Sequence, residues 1–460
     1  MQQSETAIIS PKSVKLTQMH PGGRAFSPDK VYVSGGIPGE EVEIVKERRK
    51  GFRCGRVTKV LAPSPYRTLP FCPHAQECGG CPWQHISYEG QLLWKKEILL
   101  GALKKYEIPL PPGGVPDVLP SPLIKGYRNK AEYTFEAGTP GMQEHIMGFH
   151  STEDRDNVFD CRECSLLPEN IHKLALQVKK IALEQNIPFY QYAGRTGLLR
   201  NVLLRCTTEG DLCVVPGFSR RETEIIEPFM KALSASCPGV TSWYYCADQV
   251  FYYFSGDTYL HETSLGFEFL ISPAAFYQPN PRQANRLYGT VLEMANKALA
   301  TDRNSIPPAA PIFDLYTGIG TIACMLAGMD KDRPVTGIEG NAAAVGDAVK
   351  NASRNGLRNV HFITGDILET YTTGFVAGYS QPALVVLDPP RSGTLIEIKK
   401  AIIASQTQYI IYVSCNPVSL AWDLKQLCEG GYAVKEIRPL DMFPHTQHVE
   451  TVVLCSRKDP

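Results

Sequence analysis

The 460-residue sequence contains no long hydrophobic run and no excess of charge of either sign. No apolar segment approaches the roughly 18 residues that a membrane-spanning helix needs, and the N-terminus lacks the apolar core of a signal peptide. Lysine plus arginine and aspartate plus glutamate each number 47, so the net charge is zero and neither supports nor excludes an RNA partner. We therefore expect a cytoplasmic protein, in which a local basic face could still meet RNA.

The sequence also shows no internal repeat and no low-complexity segment. Cysteine is plentiful, with 14 residues. In a cytoplasmic protein these thiols should stay reduced, so a clustered subset is better explained by metal binding or catalysis than by disulfides. A chain of this length usually forms two or three domains.

Hydrophobic patterning predicts three domains. Residues 1–66 contain short alternating strands between PGG, SPD and IPGE turns, which is typical of a small β-barrel. Residues 67–270 mix strands with helices over 88–105 and near 169–186, as in an α+β domain, and the first of these helices could pack on the following domain. Strands and helices alternate over residues 271–460, which predicts an α/β domain with a doubly wound parallel sheet.

The stretch IFDLYTGIG places Gly318 and Gly320 between a predicted strand and a predicted helix. Glycines there let the backbone approach a ligand closely at the helix N-terminus. Glu339 ends the next strand, 25 residues after Asp314, where a carboxylate can bind the ribose hydroxyls of a nucleoside cofactor. Asp366 ends the third strand. The alternative is an ordinary α/β core in which these acids cap helices.

Two further motifs end consecutive predicted strands: Asp388 in LDPPRSG and Cys415 in YVSCNP. Ligands of open α/β sheets bind beyond the carboxyl ends of the strands, so both side chains should lie beside the cofactor. A thiolate there could add to C6 of uracil and make C5 nucleophilic towards a sulfonium methyl group. A base must then remove the C5 proton, and the stretch DMFPHTQHVETV offers Glu450 and His445 for that role.

Six stretches, FYQPN, DLYTGIG, GIEGN, LDPPRSG, YVSCNP and DMFPHTQHVETV, resemble the RNA uracil-C5 methyltransferase family in order and spacing. That family includes 23S rRNA 5-methyluridine enzymes and a tRNA relative. The resemblance implies a class I, Rossmann-like domain that uses S-adenosylmethionine. It also implies a preceding TRAM barrel, to which VSGGIPGEEV is similar, and an α+β iron–sulfur domain.

The resemblance also implies roles for individual residues. Cys415 matches the nucleophile and Glu450 the acceptor of the C5 proton. Four further residues match family positions around the cofactor and the reacting base: Gln278, Tyr316, Glu339 and Asp388. The glycine loop and the strand-end pattern add three candidate cofactor-binding residues: Gly318, Gly320 and Asp366. Trp422 departs from the family, in which arginine is usual at that position.

Cys72, Cys78 and Cys81 form a C-x5-C-x2-C pattern, and DCRECSLLP adds Cys161 and Cys164. Thiolates alone suit an iron–sulfur cluster or a tetrahedral zinc site, although the gap of five is unfavourable for zinc. The resemblance implies a [4Fe–4S] cluster whose distant fourth cysteine precedes a leucine-rich stretch. That description fits Cys164 better than Cys161.

Three functions compete for this sequence. The barrel and the cysteine cluster favour 5-methyluridine formation in 23S rRNA, because the simplest tRNA member lacks them. The alternatives are the same chemistry on a T-loop uridine of tRNA, and RNA binding without catalysis. An enzyme must flip its uridine out of the stack, and Phe276, Tyr277 and Phe443 could stack on it or could simply belong to the core. We expect a monomer that binds RNA and no membrane.

Overall fold

The structure is a computed structural model that describes residues 12–49, 52–138, 145–151, 157–301, 306–307 and 309–458. The first eleven residues of the predicted N-terminal domain, and the tip of its basic KERRKGFR stretch at Lys50 and Gly51, lie outside the described residues. None of the described helices is both long and apolar enough to cross a membrane.

The N-terminal region is a six-stranded sheet. Its strands are β1 (Lys12–Lys15), β2 (Gln18–Met19), β3 (Ala25–Phe26), β4 (Tyr32–Ser34), β5 (Glu41–Arg49) and β6 (Phe52–Ala62), in the spatial order β1-β5-β6-β4-β3-β2. Its apolar side chains form a core with Trp83, Ile86 and Ile98 from outside the sheet. The pairing leaves β1 and β2 at opposite edges, so closure into a barrel stays a prediction.

Helix α1 (Tyr88–Lys105) joins this sheet to the C-terminal region. The Ser87 hydroxyl caps the helix by accepting the Gly90 N–H. In its middle, the fully buried Lys95 forms an ion pair with the fully buried Asp441. Its last turns contribute Leu99 to the same core as the strands of the C-terminal sheet, so α1 covers part of that sheet.

The central region is a seven-stranded sheet with two helices on one face. Its elements are β7 (Lys130–Glu136), β8 (Ile146–His150), β9 (Val158–Asp160), α2 (Glu169–Glu184), β10 (Leu199–Cys206), β11 (Leu212–Phe218), α3 (Thr223–Ser236), β12 (Ser242–Ala247) and β13 (Val250–Gly256), and a separate hairpin follows with β14 (Leu260–Ser264) and β15 (Phe267–Ile271). The sheet order is β13-β12-β11-β10-β7-β8-β9. Helix α3 was not predicted, because Pro228 interrupts its pattern.

The C-terminal region is an α/β domain. Its elements are α4 (Pro281–Thr301), β16 (Ile312–Leu315), α5 (Thr321–Met329), β17 (Val335–Glu339), α6 (Ala342–Arg354), β18 (Val360–Thr364), α7 (Ile367–Thr370), α8 (Thr373–Ala377), β19 (Leu384–Leu387), α9 (Ile396–Ala404), β20 (Tyr409–Ser414), α10 (Pro417–Glu429), β21 (Tyr432–Leu440) and β22 (Glu450–Arg457). The sheet order is β18-β17-β16-β19-β20-β22-β21. Strand order reverses between β16 and β19, where ligands bind in doubly wound sheets.

The prediction of a parallel sheet is correct for the direction of every strand except the last, β22, which is inserted between β20 and β21. Strand β22 runs antiparallel to both β20 and β21. No helix separates β21 from β22 to carry the chain back across the sheet, so a parallel crossover cannot form. The reversed strand therefore begins at the edge where the parallel strands end.

Candidate active site

The loop after β16 has the left-handed backbone that its glycines predict. The φ angles are 68° at Tyr316, 57° at Gly318 and 80° at Gly320. A Cβ on Gly320 would lie 2.9 Å from the Phe362 ring, whereas one on Gly318 would meet no atom within 4 Å. Gly320 therefore allows close packing against β18, and Gly318 leaves space for a ligand.

Glu339 holds this loop in place from the end of β17. Its Oε2 accepts the Gly318 N–H at 3.1 Å, and its Oε1 accepts the Asn341 N–H at 2.8 Å. Asp366 has a different local task, because its Oδ1 caps the short helix α7 by accepting the Leu368 N–H at 2.8 Å. This cap is the alternative explanation that the sequence left open for Asp366.

A cleft opens beside the glycine loop, between the ends of β16 and β19. It is lined by Phe276, Tyr277, Gln278, Tyr288, Asp314, Tyr316, Thr317, Gly318, Ile319, Thr321, Ile322 and Asp388. Four predicted site residues are among them: Gln278, Tyr316, Gly318 and Asp388. Tyr288 was missed, because it lies within the amphipathic pattern of α4, where a core residue is the ordinary reading.

The cleft contains acidic groups whose charge is suppressed. Burial raises the pKa of Asp314 to about 7, with Asp388 and Glu339 adding to the rise against a hydrogen bond from Thr317. Burial alone raises the pKa of Asp388 to about 7. The buried hydroxyl of Tyr277 has no hydrogen-bond partner within the described residues. A cation beside Asp314 and Asp388 would stabilise their ionised forms, so these buried acids and the open side of Gly318 fit a bound nucleoside with a cationic sulfonium.

The FYQPN segment brings Gln278 into the cleft by contacts with two other regions. The backbone oxygen of Gln278 accepts a hydrogen bond from Asn129 Nδ2 at 3.0 Å. The buried Asn280 donates from Nδ2 to the Met442 carbonyl oxygen at 3.1 Å. The segment is thus tied both to the central sheet and to the motif before β22.

The antiparallel pairing of β22 brings Cys415 and Glu450 together. Ser414 lies opposite Thr451 at the end of the β20–β22 ladder, so the next pair along the two strands is Cys415 with Glu450. The chain then enters α10 at once, because Asn416 accepts the Val418 N–H at 3.1 Å as its N-cap. Cys415 therefore sits half-buried between a strand end and a helix start.

Burial and mutual charge shape the titration of this pair. Burial, and then the Glu450 carboxylate, raise the pKa of Cys415 to about 11, while Arg391 opposes the rise. Burial, and then Asp388, raise the pKa of Glu450 to about 8, and Arg391 again opposes it. A carboxyl group of this pKa can accept and release a proton near neutral pH.

Arg391, which the sequence reasoning missed, is held beside this pair. Its Nη2 lies 2.5 Å from Nδ1 and 2.7 Å from Nε2 of His448. Its carbonyl oxygen accepts hydrogen bonds from Asn416 Nδ2 at 2.8 Å and Ser419 Oγ at 3.1 Å. Burial, and then Arg391, lower the pKa of His448 to about 4, so a neutral imidazole faces the guanidinium.

A buried network fixes the loop that carries Arg391. Asp423 accepts hydrogen bonds from Lys399 Nζ, from the Thr394 N–H at 2.9 Å and from the Tyr412 hydroxyl at 2.5 Å. The Thr394 hydroxyl also contacts the Tyr316 hydroxyl at 3.0 Å. The network therefore connects the loop after β19 to a predicted cofactor residue.

His445, the other candidate base, is occupied by structural contacts. Its ring is 3% exposed. Its Nε2 lies 2.9 Å from the Ile124 carbonyl oxygen, and its Nδ1 lies 3.1 Å from Gln91 Nε2. A neutral ring with hydrogen on Nε2 satisfies both contacts, and burial lowers its pKa. Because both ring nitrogens of His445 are engaged, Glu450 is the better candidate for the base that accepts the C5 proton.

The predicted stacking residues differ in exposure. Phe276 is 70% exposed at the cleft, whereas Tyr277 is 4% exposed and belongs to a core cluster. Phe443 packs partly against the sheet core and lies edge-to-face with His448 at 6.1 Å. Trp422 is half-exposed on α10 and lies edge-to-face with Tyr106 at 5.6 Å.

The cysteines of the predicted cluster lie in one region of the structure. Cys72, Cys78, Cys81 and Cys164 are all free and partly buried. Burial raises the pKa of Cys81 to about 12, against a hydrogen bond with a neighbouring side chain, and the charges of the other three thiols add to the rise. Cys161 is instead buried, and its Sγ donates to a backbone carbonyl oxygen at 3.3 Å.

Thiolates of this kind ligate both iron–sulfur clusters and structural zinc ions. Among the described residues, no group of three or more His, Cys, Asp or Glu side chains is arranged to hold a metal ion. Metal binding by these cysteines therefore stays a prediction.

The sheet order, the glycine loop and the cleft at the strand reversal define a class I methyltransferase that uses S-adenosylmethionine. The sequence profile of the tRNA (uracil-5-)-methyltransferase family matches residues 262–458. The chain is 35% identical to an uncharacterized RNA methyltransferase of Porphyromonas gingivalis, over 93% of this chain and 95% of that protein. It is 36% identical to another from Caldanaerobacter subterraneus, over 92% and 93%.

Among solved structures, the chain is similar to the Pyrococcus abyssi tRNA (uracil-54, C5)-methyltransferase in complex with S-adenosyl-L-homocysteine. The TM-score is 0.74 and the identity 25%, over 96% of this chain and 100% of the other. The chain belongs to the RNA uracil-C5 methyltransferase family and is an S-adenosylmethionine-dependent RNA methyltransferase.

Proposed function

We propose that this enzyme methylates C5 of a uridine in 23S rRNA through a transient bond between Cys415 and C6 of the base. The observation that carries the proposal is the end of the β20–β22 ladder, where Cys415 lies beside Glu450. Asp388, which lines the cofactor cleft, is near enough to both groups to raise their pKa values. A nucleophile and a proton acceptor on the same side of a methyl donor are what C5 methylation needs.

In this proposal the Cys415 thiolate adds to C6, and the electron pair of the C5–C6 bond becomes available at C5. The Arg391 guanidinium assists, because it opposes the high pKa of the thiol. S-adenosylmethionine supplies the methyl group, which C5 attacks. The Glu450 carboxylate then removes the C5 proton, the double bond reforms and the thiolate leaves.

Trapping with RNA that contains 5-fluorouridine tests the proposal. Fluorine at C5 cannot be removed as a proton, so the enzyme should stall as a covalent adduct that survives denaturing electrophoresis. The Cys415→Ala variant should form no adduct. The matched control is Cys428→Ala, which removes another half-buried thiol farther along α10. An adduct in Cys415→Ala would refute the assigned nucleophile, and no adduct in the wild type would favour RNA binding without catalysis.

Methylation of a tRNA T-loop uridine is the second candidate function. Its support is the overall similarity to the Pyrococcus abyssi tRNA (uracil-54, C5)-methyltransferase. Mapping 5-methyluridine in the rRNA and the tRNA of a strain that lacks the gene separates the two substrates. Loss from 23S rRNA alone supports the first, and loss from tRNA alone replaces it with the second.

We also propose that Cys72, Cys78, Cys81 and Cys164 hold a [4Fe–4S] cluster. Support comes from the all-thiolate donor set and from the proximity of the four thiols. The Cys78→Ser variant should lose the brown absorbance and the bound iron, whereas Cys161→Ser should keep both. Retention of iron in Cys78→Ser would refute the cluster. The proposal also includes a TRAM-type role in RNA binding for the N-terminal sheet, and a monomer in the cytoplasm.

A further inference from the structure

The face of the central sheet that carries no helix borders the methyl-transfer site. The opposite face packs against α2 and α3. On the helix-free face, Cys213 and Val215 of β11 pack against Tyr277 and Ile319. Both of these partners also line the cofactor cleft, so this half of the face is continuous with the active site.

The other half of the same face presents a shallow row of residues across four strands. Phe251 of the edge strand β13 lies opposite Cys246 of β12, which lies opposite Gly217 of β11. Gly217 in turn lies opposite Asn201 of β10, and a β-bulge there contains Arg200. Phe251 and Arg200 are thus three strand spacings apart, about 14 Å. Between them lie Cys246 and Gly217, and the Asn201 side chain packs over Gly217 and donates to the Glu132 carboxylate.

Both ends of this row are exposed and suited to planar ligands. Phe251 is 38% exposed and Tyr253, two residues along the same strand, is 50% exposed. At the other end, the guanidinium carbon of Arg200 lies 5.0 Å from the ring centre of Tyr190 and 6.0 Å from that of Tyr192. Within the described residues, Arg200 forms no ion pair with a carboxylate.

We propose that this row, from Arg200 to Phe251 and Tyr253, binds unpaired nucleotides of the RNA substrate next to the flipped uridine. Exposed aromatic rings stack on nucleobases of any sequence. Arginine without a carboxylate partner can contact a phosphate or stack on a base. Because this face is continuous with the cofactor cleft, such nucleotides would lie beside the flipped uridine. The inference rests on the proposed function only for the identity of the RNA substrate.

A binding experiment tests the row independently of catalysis. Fluorescein-labelled dodecauridylate is titrated with the wild type, Phe251→Ala/Tyr253→Ala and Arg200→Ala. Two matched controls are Val250→Ala, which changes an exposed residue on the opposite face of β13, and Arg358→Ala, which removes a charge before β18, at the edge away from the cleft. The double variant should bind about tenfold more weakly. Arg200→Ala should reduce the salt dependence of binding, and both controls should bind normally.

Steady-state kinetics then locate the effect in the reaction. With unmodified 23S rRNA and tRNA transcripts, the double variant should raise the KM for RNA about tenfold. Its kcat at saturating RNA and its KM for S-adenosylmethionine should stay within twofold of the wild type. Ultraviolet crosslinking of the RNA should map to the peptide that contains Phe251.

Several results would overturn the inference. One is RNA affinity within twofold of the wild type in both the double variant and Arg200→Ala. Another is an equal loss of affinity in Val250→Ala, which would indicate a general defect of β13. A wild-type dimer that the double variant converts to a monomer without loss of RNA affinity would assign the surface to a second copy of this chain. Failure of the proposed function would instead leave the dodecauridylate results intact and abolish the fluorouridine adduct.

Discussion

The C-terminal and central sheets use their strands in different ways. In the C-terminal sheet the inner strands β16, β19 and β20 are buried on both faces and contain no exposed residue. Its candidate functional groups lie at strand ends or just beyond them. In the central sheet one face is partly open, and the residues that we assign to RNA lie within the strands. The comparison suggests that the proposed chemistry depends on the strand order, which brings strand ends together. The proposed RNA binding depends instead on which side chains along each strand point to the open face.

The largest effect should come from Glu450→Gln, which tests whether chemistry is confined to the C-terminal sheet. The amide cannot accept the C5 proton, so turnover should fall by about 10³-fold. The thiol addition should survive, and a protein–RNA adduct should accumulate with unmodified RNA on denaturing gels. RNA affinity should stay within twofold. Wild-type turnover in this variant would remove Glu450 from the mechanism.

A large effect on stability should follow from Lys95→Met, which tests how α1 joins the two regions. The change leaves the fully buried Asp441 without its ion-pair partner, so the free energy of unfolding should fall by about 3–5 kcal/mol. The control is Lys96→Met, which removes a pair with the 95% exposed Asp117 side chain and should cost less than about 1 kcal/mol. If urea denaturation showed equal losses of unfolding free energy in the two variants, the Lys95–Asp441 pair would not be what joins α1 to the C-terminal region.

A smaller effect should separate the two glycines of the cofactor loop. Gly320→Ala would press a methyl group against Phe362 and should lower the free energy of unfolding by about 1–3 kcal/mol. Both variants share the strain of an alanine in a left-handed backbone, about 1–2 kcal/mol. Beyond that shared cost, the methyl group of Gly318→Ala meets no atom within 4 Å and should mainly raise the KM for S-adenosylmethionine. Thermal denaturation with and without the cofactor distinguishes them, and the reverse pattern would show that Gly318 does not face the ligand.

The smallest and sharpest test is the pH dependence of adduct breakdown. The carboxyl group of Glu450 has a raised pKa of about 8, so it is mostly protonated at lower pH and cannot act as a base. The methylated adduct formed with unmodified RNA should therefore break down about tenfold faster per pH unit, and its rate of breakdown should level off above about pH 8. Asp388→Asn should lower the midpoint, because the Asp388 charge helps to raise this pKa. A pH-independent decay would exclude Glu450 as the rate-determining base.

Sequence reasoning placed most of the candidate site residues at strand ends because they follow strands in a regular α/β pattern. It predicted the five parallel strands and the positions of Gly318, Asp388 and Cys415. It did not predict that β22 is reversed, which depends on the absence of a helix after β21. It also missed Arg391 and His448, although both lie in quoted motifs, because their mutual contact arises only when two distant loops meet.

The central region was predicted less completely for a physical reason. Its strands pair in an order that mixes neighbours with distant segments, so local pattern does not reveal which residues share a face. The alignment of Phe251, Cys246 and Gly217 exists only in the assembled sheet. Helix α3 was hidden by Pro228, and the role of Asp366 as a helix cap is a local fact that strand position alone does not indicate.

The insertion of β22 between β20 and β21 has a consequence for synthesis on the ribosome. A nascent chain translated only as far as residue 449 contains Cys415 but lacks Glu450, and its sheet has a gap where an interior strand belongs. Under the proposed mechanism, such a chain could not release an RNA to which Cys415 had become attached. Completion of the sheet by β22 would then be the last step in assembling the proposed active site.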